Sequence, residues 1–287
     1  MPEPDMEELN DPNAPHKRHE GKRLLSPTQI TAYKECPRKW YYQYVLRIPI
    51  PEKFALLRGT VVHSVCEHLF RWRPTPGWSF DELVEHMTTT AHSILKDAWD
   101  EKKITEKFGD DHYEETVGII DKFLKRHEWK MEPLYKKFHD ASKAWNFSKP
   151  KYSERRVIDE ELGVQGIIDA VIETDPGEIV LVDYKTSSFF KHPISHEYRT
   201  QLYIYALLFE KETGLRPLYV SVDYLLYGQV SNYPVTQDLL EETRTLIQDI
   251  YKKTGSKEIS DYPTNTEFKF CKWCDFRETC QGQKPLS

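Results

Sequence analysis

The sequence predicts an α/β protein in which a helical first half precedes a mixed sheet and a cysteine-bearing tail. Val62, Val65 and Leu69 have the spacing of one buried helical face. From Tyr152 onward, period-two patterns and β-branched runs replace that spacing. The predicted order of the core is therefore helix, three strands, helix and strand.

Length and composition set the limits of this prediction. The chain has 287 residues, enough for one substantial core with elaborations or for two modest domains. Hydrophobic residues make up 39%, so we expect a globular protein. The net charge of -6 does not indicate nucleic-acid binding, because phosphate-binding domains usually carry a basic surplus. Carboxylates that hold a metal ion also lower the total, so the charge decides neither way.

Residues 1–24 are predicted to form a flexible polar arm. They contain neither an apolar core nor a small-residue cleavage site, and the chain has no run of about 18 apolar residues. We therefore expect no secretion and no contact with a membrane. Five cysteines are an odd number for a set of disulfides. Metal ligation by thiolates in a reducing cytoplasm is the better expectation.

Residues 25–150 are predicted to form a helical region. Ser26 followed by Pro27 indicates a helix start, because serine caps helices and proline fixes a helical φ, and Pro37 interrupts this helix. Further helical segments are predicted at 38–47, 59–72, 79–104 and 112–138.

Residues 151–260 are predicted to form the core. Three strands are expected at 152–162, 164–174 and 178–187, separated by turns at Gly163 and at Pro176. Beyond them we expect a helix at 195–212, a strand at 217–227, a short partner strand at 229–235 and a helix near 236–254. Residues 261–287 remain as a separate tail.

The hairpin at Pro176 makes a geometric prediction. If the turn is centred there, Asp169 lies directly opposite Asp183, and Lys185 projects from the same face. Facing carboxylates on antiparallel strands repel each other, and a divalent cation would compensate them. The plainer alternative is a polar pair without function. The flanking runs GIIDAVI and IVLVDYK favour a site, because they indicate buried strands in which uncompensated charge is costly.

Four short sequence blocks stand in a fixed order along the chain. They are 59–63 (GTVVH), 166–169 (GIID), 183–187 (DYKTS) and 201–205 (QLYIY). Together they resemble the motifs of RecB-type nucleases in the PD-(D/E)XK superfamily, and with the cysteines the resemblance extends over about residues 25–281. It is greatest for the CRISPR-associated RecB-like exonucleases and their iron-sulfur relatives in DNA repair. The resemblance implies a restriction-endonuclease-like core.

The resemblance also implies a metal site. His63, Asp169 and Asp183 would hold Mg or Mn, together with the carbonyl oxygen of Tyr184, and the histidine nitrogen favours Mn. Lys185 would orient the attacking water and stabilise the charge that develops on phosphorus. Many relatives have glutamate at the position of Asp183, so the shorter side chain could change the placement of the metal.

Two residues of the fourth block complete the implied site. Gln201 and Tyr205 are four apart on one helical face, and they would position Lys185 and the scissile strand, respectively. Taken singly, Gln201 could be a solvated residue and Tyr205 a core aromatic. His63 could likewise be a structural histidine, with His68 and Glu67 as nearby alternatives.

The tail carries a second candidate metal site. Cys271, Cys274 and Cys280 are closely spaced, and Cys36 lies far upstream. Thiolates suit both zinc and iron-sulfur clusters, and the spacing does not choose between them. The resemblance implies a 4Fe-4S cluster of structural role, with zinc as the alternative. Aromatic residues around the cysteines are expected to shield it, namely Phe268, Phe270, Trp273 and Phe276. Cys66, on an apolar helical face, is expected to pack as a small hydrophobe.

The route of a substrate is the least defined feature. Residues 38–44 alternate cations with aromatics, a composition that can hold phosphates and stack bases. The alternative is an amphipathic helix that packs its aromatics against the cysteine site. Lys151, Arg155 and Arg156 form a second, weaker candidate for contacts with a nucleic-acid backbone.

Taken together, the resemblance implies a metal-dependent DNA nuclease. We expect an exonuclease that acts on single-stranded DNA or frayed ends in CRISPR adaptation or DNA repair, with proteins of those processes as partners. A non-catalytic DNA-binding or adaptor module with the same fold is the competing class. A zinc-stapled enzyme acting on another phosphodiester is a third possibility. Intact Asp169, Asp183 and Lys185 favour the enzyme.

Overall fold

The computed structural model describes residues 23–187, 196–265 and 271–282. The first half of the chain is helical. Its helices are α1 (Pro27–Glu35), α2 (Pro37–Trp40), α3 (Phe54–Leu69), α4 (Phe80–Glu101), α5 (Ile104–Phe108), α6 (Tyr113–Phe138) and α7 (Ala141–Ser148). Of the predicted polar arm, only residues 23 and 24 fall within the described part of the chain.

Side-chain caps explain where several of these helices begin. Ser26 Oγ accepts a hydrogen bond from the Gln29 amide at 3.2 Å, as expected for the start of α1. Ser79 and Glu82 form a reciprocal capping box at α4, and Asp140 caps α7. The short helices α5 and α7 were not predicted. The predicted start of α3 is five residues too late, because Lys53 is not a capping residue.

The aromatic segment that follows Pro37 packs into the interior. Helix α2 continues into a π-helical turn (Tyr41–Val45), and Trp40, Tyr41 and Tyr42 are buried. The Trp40 ring stacks on Tyr262, with ring centroids 5.6 Å apart. These three aromatics are therefore not exposed for base stacking, and of the three only Tyr42 packs against the cysteine cavity, as the alternative interpretation expected.

The second half contains a five-stranded sheet. Its strands are β1 (Tyr152–Asp159), β2 (Val164–Glu173), β3 (Ile179–Lys185), β4 (Tyr219–Tyr224) and β5 (Gln229–Pro234), in the order β1-β2-β3-β4-β5. All pairs are antiparallel except β3 and β4, which are parallel and are joined through α8 (His196–Thr213). Helix α9 (Gln237–Lys253) follows β5, and α10 (Arg277–Cys280) lies in the tail. The α/β class and the element order are confirmed.

The sheet separates two apolar layers. Along β3, Ile179 and Leu181 face the layer that contains α1, α8 and α9, while Val180 and Val182 face the layer that contains α3, α4 and α6. This alternation follows from the two-residue period of a strand. Each helical layer therefore contacts one face of β3, and the end of this strand lies between them.

The β2–β3 register agrees with the prediction. Ala170 pairs with Val182 and Glu173 pairs with Ile179, as expected for a turn centred on Pro176. The same register, continued by one residue, sets Asp169 opposite Asp183. Gly177 in this turn has φ +82°, a conformation that favours glycine.

The tail segment packs against the first two helices. Arg38 Nε donates to the Tyr262 carbonyl at 2.6 Å, and Asn265 Nδ2 donates to the Glu35 carbonyl at 2.8 Å. Lys53 and Asp275 form an ion pair at 2.8 Å. Within the described ranges, none of the helices has the length and apolarity needed to cross a membrane.

Candidate metal-binding active site

The predicted acidic residues converge where β2 and β3 run side by side. Asp169 Oδ2 accepts a hydrogen bond from the Tyr184 amide at 2.7 Å. His63, projecting from α3, has Nδ1 3.5 Å from Asp169 Oδ1 and Nε2 3.0 Å from the Tyr184 carbonyl oxygen. The structure therefore brings His63, Asp169 and the Tyr184 carbonyl together, although they are distant in sequence.

Lys185 and Gln201 hold the second carboxylate. Lys185 Nζ lies 2.6 Å from Asp183 Oδ2, and Gln201 Nε2 donates to Asp183 Oδ1 at 3.1 Å. Gln201 Oε1 is 3.5 Å from Lys185 Nζ, at the limit of a hydrogen bond. Gln201 thus touches both charged groups of β3 from α8.

Tyr205 sits behind Gln201. Gln201 Nε2 lies 2.8 Å from the Tyr205 hydroxyl, and the tyrosine ring is buried. A Cβ at Gly166 would come within 2.7 Å of that ring, so glycine is needed there for the close approach of α8 to β2. Tyr205 therefore contacts Gln201 and lies close to Gly166 in the interior of the protein.

The sequence analysis missed Glu154. Its carboxylate oxygen lies 3.9 Å from His63 Nδ1, and the ligand atoms of His63, Glu154 and Asp169 all lie within 4.8 Å of one another. Ser153 pairs with Ala170 and Arg155 with Ile168, so Glu154 stands opposite Asp169 across β1 and β2. A turn centred on Gly163 would have set Asp169 opposite Val157, so the predicted turn did not indicate this pairing.

Glu154 also has an unusual backbone. Its φ of +50° lies in the left-handed region, which is costly for a residue with a side chain. Such strain is kept where the surrounding structure fixes it, often at functional sites. Here it accompanies a carboxylate that faces His63.

Burial and pairing shift the pKa values of these groups. Burial alone would lower the pKa of His63, but hydrogen bonds to Asp169 and Glu154 and nearby carboxylate charge outweigh it and raise the pKa to about 10. Burial raises the pKa of Asp183 to about 6, against the opposing effect of Lys185. Burial also raises the pKa of Glu154. The imidazolium of His63 and the ammonium of Lys185 thus compensate the carboxylates.

The donor set fits a divalent cation. It offers carboxylate oxygens, which both Mg²⁺ and Mn²⁺ prefer, and one imidazole nitrogen, which suits Mn²⁺ better than Mg²⁺. The Asp183 carboxylate is buried beside this group, and Lys185 Nζ lies 2.6 Å from its Oδ2.

The site opens into a cleft of 810 Å³. One wall is α3, from Ala55 to Glu67, and the opposite wall is the end of β3 with Tyr198. Leu56 on this wall is 66% exposed. Pockets that bind small organic ligands have volumes in this range. The cleft is therefore large enough for a short segment of a polymer.

The four predicted cysteine ligands line one smaller cavity. Cys36, Cys271, Cys274 and Cys280 border a volume of 70 Å³ together with Tyr42 and Phe276. In the described ranges, no three of these sulfur atoms lie within 4.8 Å of one another. Burial raises the pKa values of the Cys274 and Cys280 thiols.

The predicted aromatic shield is only partly present. Phe276 is buried and contacts Tyr42, with ring centroids 5.7 Å apart. Trp273 is 72% exposed, so its expected role in the shield is wrong. Phe268 and Phe270 lie outside the described residues. Cys66 is buried in the apolar layer of α3, as expected for a packed residue.

The weaker basic candidates are all engaged by partners within the protein. Lys151 pairs with Glu173 at 2.6 Å and Arg155 pairs with Glu212 at 2.7 Å. Arg156 Nη2 donates to Gln165 Oε1 at 2.7 Å. Each of these three side chains therefore has at least one partner within the protein.

The fold is α/β with a mixed sheet. The candidate site is an acidic cluster of the kind that can bind a divalent cation. The family model of the PD-(D/E)XK nuclease superfamily matches residues 24–281, and the chain belongs to this superfamily. None of the curated proteins matches the chain.

Two solved structures extend the comparison. A candidate exonuclease from Eubacterium rectale is 12% identical, with a TM-score of 0.56, and the alignment covers 96% of this chain and 94% of that protein. The likeness shows a shared fold. The structure of SSO0001 is 16% identical over 92% of this chain and 88% of its own, and its TM-score of 0.35 is too low for further argument.

Proposed function

We propose that the protein is a metal-dependent deoxyribonuclease. The observation that carries the proposal is the convergence of His63, Asp169, Asp183 and Lys185 at one end of a cleft. Membership of the PD-(D/E)XK superfamily supports phosphodiester hydrolysis as the reaction. Glu154 extends the donor set beyond the residues that the sequence motifs indicated.

The residues have distinct proposed roles. Asp169, Asp183, His63 and the Tyr184 carbonyl hold a divalent cation, with Glu154 as an additional donor. The bound cation supplies Lewis acidity toward the phosphate and lowers the pKa of a coordinated water. Lys185 orients the attacking water and stabilises negative charge on phosphorus. Through its amide group, Gln201 fixes the side chains of Lys185 and Asp183 relative to each other.

The proposed cation is Mg²⁺ or Mn²⁺. Both prefer oxygen donors, and an imidazole nitrogen in the set favours Mn²⁺. Calcium binding without cleavage would serve as a probe of the site. Comparing Mg²⁺, Mn²⁺ and Ca²⁺ in one titration series would rank these ions.

The proposed substrate is DNA with single-stranded or frayed ends, degraded as an exonuclease. The preference for single strands rests on the motif resemblance, and the cleft beside α3 and the end of β3 is the proposed place for the strand. The Eubacterium rectale structure is named as a candidate exonuclease. A role in CRISPR adaptation or DNA repair, with proteins of those processes as partners, rests on the motif resemblance alone.

An end-labelling experiment tests this proposal. Linear single strands labelled at either end, linear duplexes and circular single strands would be incubated with Mn²⁺ and the purified chain. We expect mononucleotides or short products from linear single strands and intact circles. Cleaved circles would show an endonuclease, and no cleavage of any DNA would exclude the proposed activity.

The cysteine cavity is proposed to hold a 4Fe-4S cluster, with zinc as the alternative. In a tetrahedral zinc site with bonds of about 2.3 Å, the sulfur atoms lie about 3.8 Å apart. All four cysteines border one cavity, which supports a shared inorganic group, and the motif resemblance favours an iron-sulfur cluster over zinc. Anaerobic purification followed by iron, sulfide and zinc analysis tests this. One zinc per chain without iron would exclude the cluster.

A further inference from the structure

Arg58 connects three elements beside the acidic site. Its Nη1 lies 2.9 Å from Glu115 Oε1 on α6, and its Nη2 donates to the Thr186 carbonyl at 3.2 Å. The guanidinium also lies over the ring of Phe54, 5.3 Å from its centroid. The arginine side chain is only 8% exposed and its bond to Thr186 is buried, whereas its partner Glu115 is 49% exposed.

The two segments that Arg58 joins are those that build the metal site. Arg58 and His63 belong to the same helix, α3, while Thr186 directly follows Lys185 at the end of β3. Gly59, next in sequence, brings the backbone close: a Cβ there would lie 3.5 Å from Thr186 Oγ1. Helix and strand end thus leave room for little more than one methyl group where the arginine bonds them.

Packing alone does not explain an arginine at this position. A buried guanidinium is costly to desolvate, and an apolar side chain of similar length would fill the same space at lower cost. In the described part of the chain, Arg58 Nε is buried without any hydrogen-bond partner, which adds to that cost. Because burying Arg58 is costly, the best explanation for its contacts with Glu115 and Thr186 is that they fix the positions of the segments they join.

We propose that Arg58 is a positioning residue for the metal site. By holding the Thr186 carbonyl against α3, it fixes the distance between the His63 ring and the Tyr184 carbonyl. His63 Nε2 lies 3.0 Å from the Tyr184 carbonyl oxygen, so this hydrogen bond orients the ring and turns Nδ1 toward Asp169 and Glu154. The inference rests on the proposed function only in requiring that the acidic site binds a divalent cation.

Arg126 offers a matched control. It is also a largely buried arginine with an unpartnered Nε, and it also joins a helix to a strand, through an ion pair with Asp223 at 2.9 Å. Unlike Arg58, it does not line the cleft. Substitution of either arginine should therefore lower the stability of the fold. Only substitution of Arg58 should weaken metal binding.

The test compares Arg58→Ala, Arg58→Lys and Arg126→Ala by calorimetric titration with Mn²⁺. Loss of a group that orients metal ligands weakens binding by about tenfold or more, and we expect this for both Arg58 variants. Arg126→Ala should bind Mn²⁺ with parental affinity. Added guanidinium at a concentration too low to denature should restore the affinity of Arg58→Ala and leave Arg126→Ala unchanged.

A second measurement needs no metal. Hydrogen exchange of the metal-free proteins should show faster exchange at residues 184–187 in Arg58→Ala, and at residues 223–228 in Arg126→Ala. Parental Mn²⁺ affinity in Arg58→Ala, or equal weakening in both alanine variants, would overturn the proposal. If Arg58→Ala does not fold, Arg58→Lys decides, because lysine cannot reach Glu115 and Thr186 together. If the parental protein binds Mn²⁺ but leaves DNA intact, the nuclease proposal fails and the comparison of affinities still stands.

Discussion

The acidic site and the cysteine cavity are built in different ways. Ligand atoms of His63, Glu154 and Asp169 already lie within 4.8 Å of one another, held by strand pairing and by the Tyr184 amide. The cysteine sulfur atoms surround a cavity without reaching such distances. Both sites join parts of the chain that are distant in sequence, but three ligand atoms of the first are already close together, whereas, among the described residues, no three sulfur atoms of the second are.

This difference has an energetic consequence. A site assembled by the sheet should lose function without loss of fold when one ligand is changed. A site that joins Cys36 to the tail closes a loop of more than two hundred residues, so its loss should be felt in stability. The predictions that follow separate these two behaviours.

Asp169→Asn should abolish Mn²⁺ and Ca²⁺ binding and DNA cleavage together. Asparagine keeps an oxygen for the Tyr184 amide but removes the charge that a divalent cation requires. Calorimetric titration and single-turnover cleavage would measure both effects. The control is Asp159→Asn, a buried aspartate of the same sheet that accepts from the Leu162 amide at 2.9 Å. Cleavage by Asp169→Asn at the parental rate would place the active site elsewhere.

Cys274→Ala should lose the colour of the proposed cluster and much of the stability. By analogy with loop closure by a disulfide, the joined chain ends could contribute roughly 5 kcal/mol to the free energy of unfolding. Visible absorption, iron content and urea unfolding under anaerobic conditions would check this. Mn²⁺ binding at the acidic site should persist while the protein is folded.

Cys66 supplies the control for that experiment. It is buried on α3 and lies outside the cysteine cavity, so Cys66→Ala should keep the colour. Equal iron content in Cys274→Ala and the parental protein would remove Cys274 from the ligand set.

Lys185→Met should slow cleavage by about a hundredfold, equivalent to about 2.7 kcal/mol, because it removes a preorganised charge needed in the transition state. Metal binding at alkaline pH should be retained. Without Lys185, which opposes the effect of burial, the pKa of Asp183 should rise above about 6. Mn²⁺ affinity should therefore begin to fall at a higher pH in the variant than in the parental protein, since the ligand must be deprotonated.

Single-turnover rates and Mn²⁺ titrations across a pH series would measure both effects. Lys151→Met is the matched variant, since Lys151 also pairs with an acid at the sheet but lies outside the cleft. A parental cleavage rate in Lys185→Met would contradict the role proposed for this lysine.

Much of the fold could be predicted because the central strands are apolar, β-branched runs and their turns contain strong signals. Gly177 and Pro176 fixed the β2–β3 register, and that register put Asp169 opposite Asp183. Helix α7 was missed because eight residues give too little periodicity to recognise. The start of α3 was misplaced because no capping residue precedes Phe54.

The site was less accessible to prediction where it depends on tertiary contacts. Glu154 faces His63 through a backbone with positive φ, and no sequence pattern indicates that conformation for a glutamate. Trp273 was expected to be buried because tryptophan usually is, yet it lies exposed beside Lys272. Arg58 precedes a recognisable motif, but its partners Glu115 and Thr186 are far away in sequence.

Both sites can be compared across pH only while the layer that contains α3, α4 and α6 stays folded. His127, on α6, should set the lowest pH at which this layer remains stable. It is 4% exposed, lies between Phe70 and Trp145, and has Nε2 3.0 Å from Ser148 Oγ. Burial lowers its pKa to about 3, against about 6.5 in an unfolded chain. The unfolded state therefore takes up a proton that the folded state does not, so stability falls as pH drops from about 6.5 toward 3.

At pH 5.5 this histidine should cost about 1.4 kcal/mol of stability relative to pH 7.5. His127→Gln cannot titrate, although glutamine can still bond to Ser148. The difference in unfolding free energy between the two proteins should therefore shrink by about that amount between pH 7.5 and 5.5. Urea unfolding of both proteins at the two pH values, followed by circular dichroism, would measure it. Parallel pH profiles would show that His127 does not stay neutral in the folded protein.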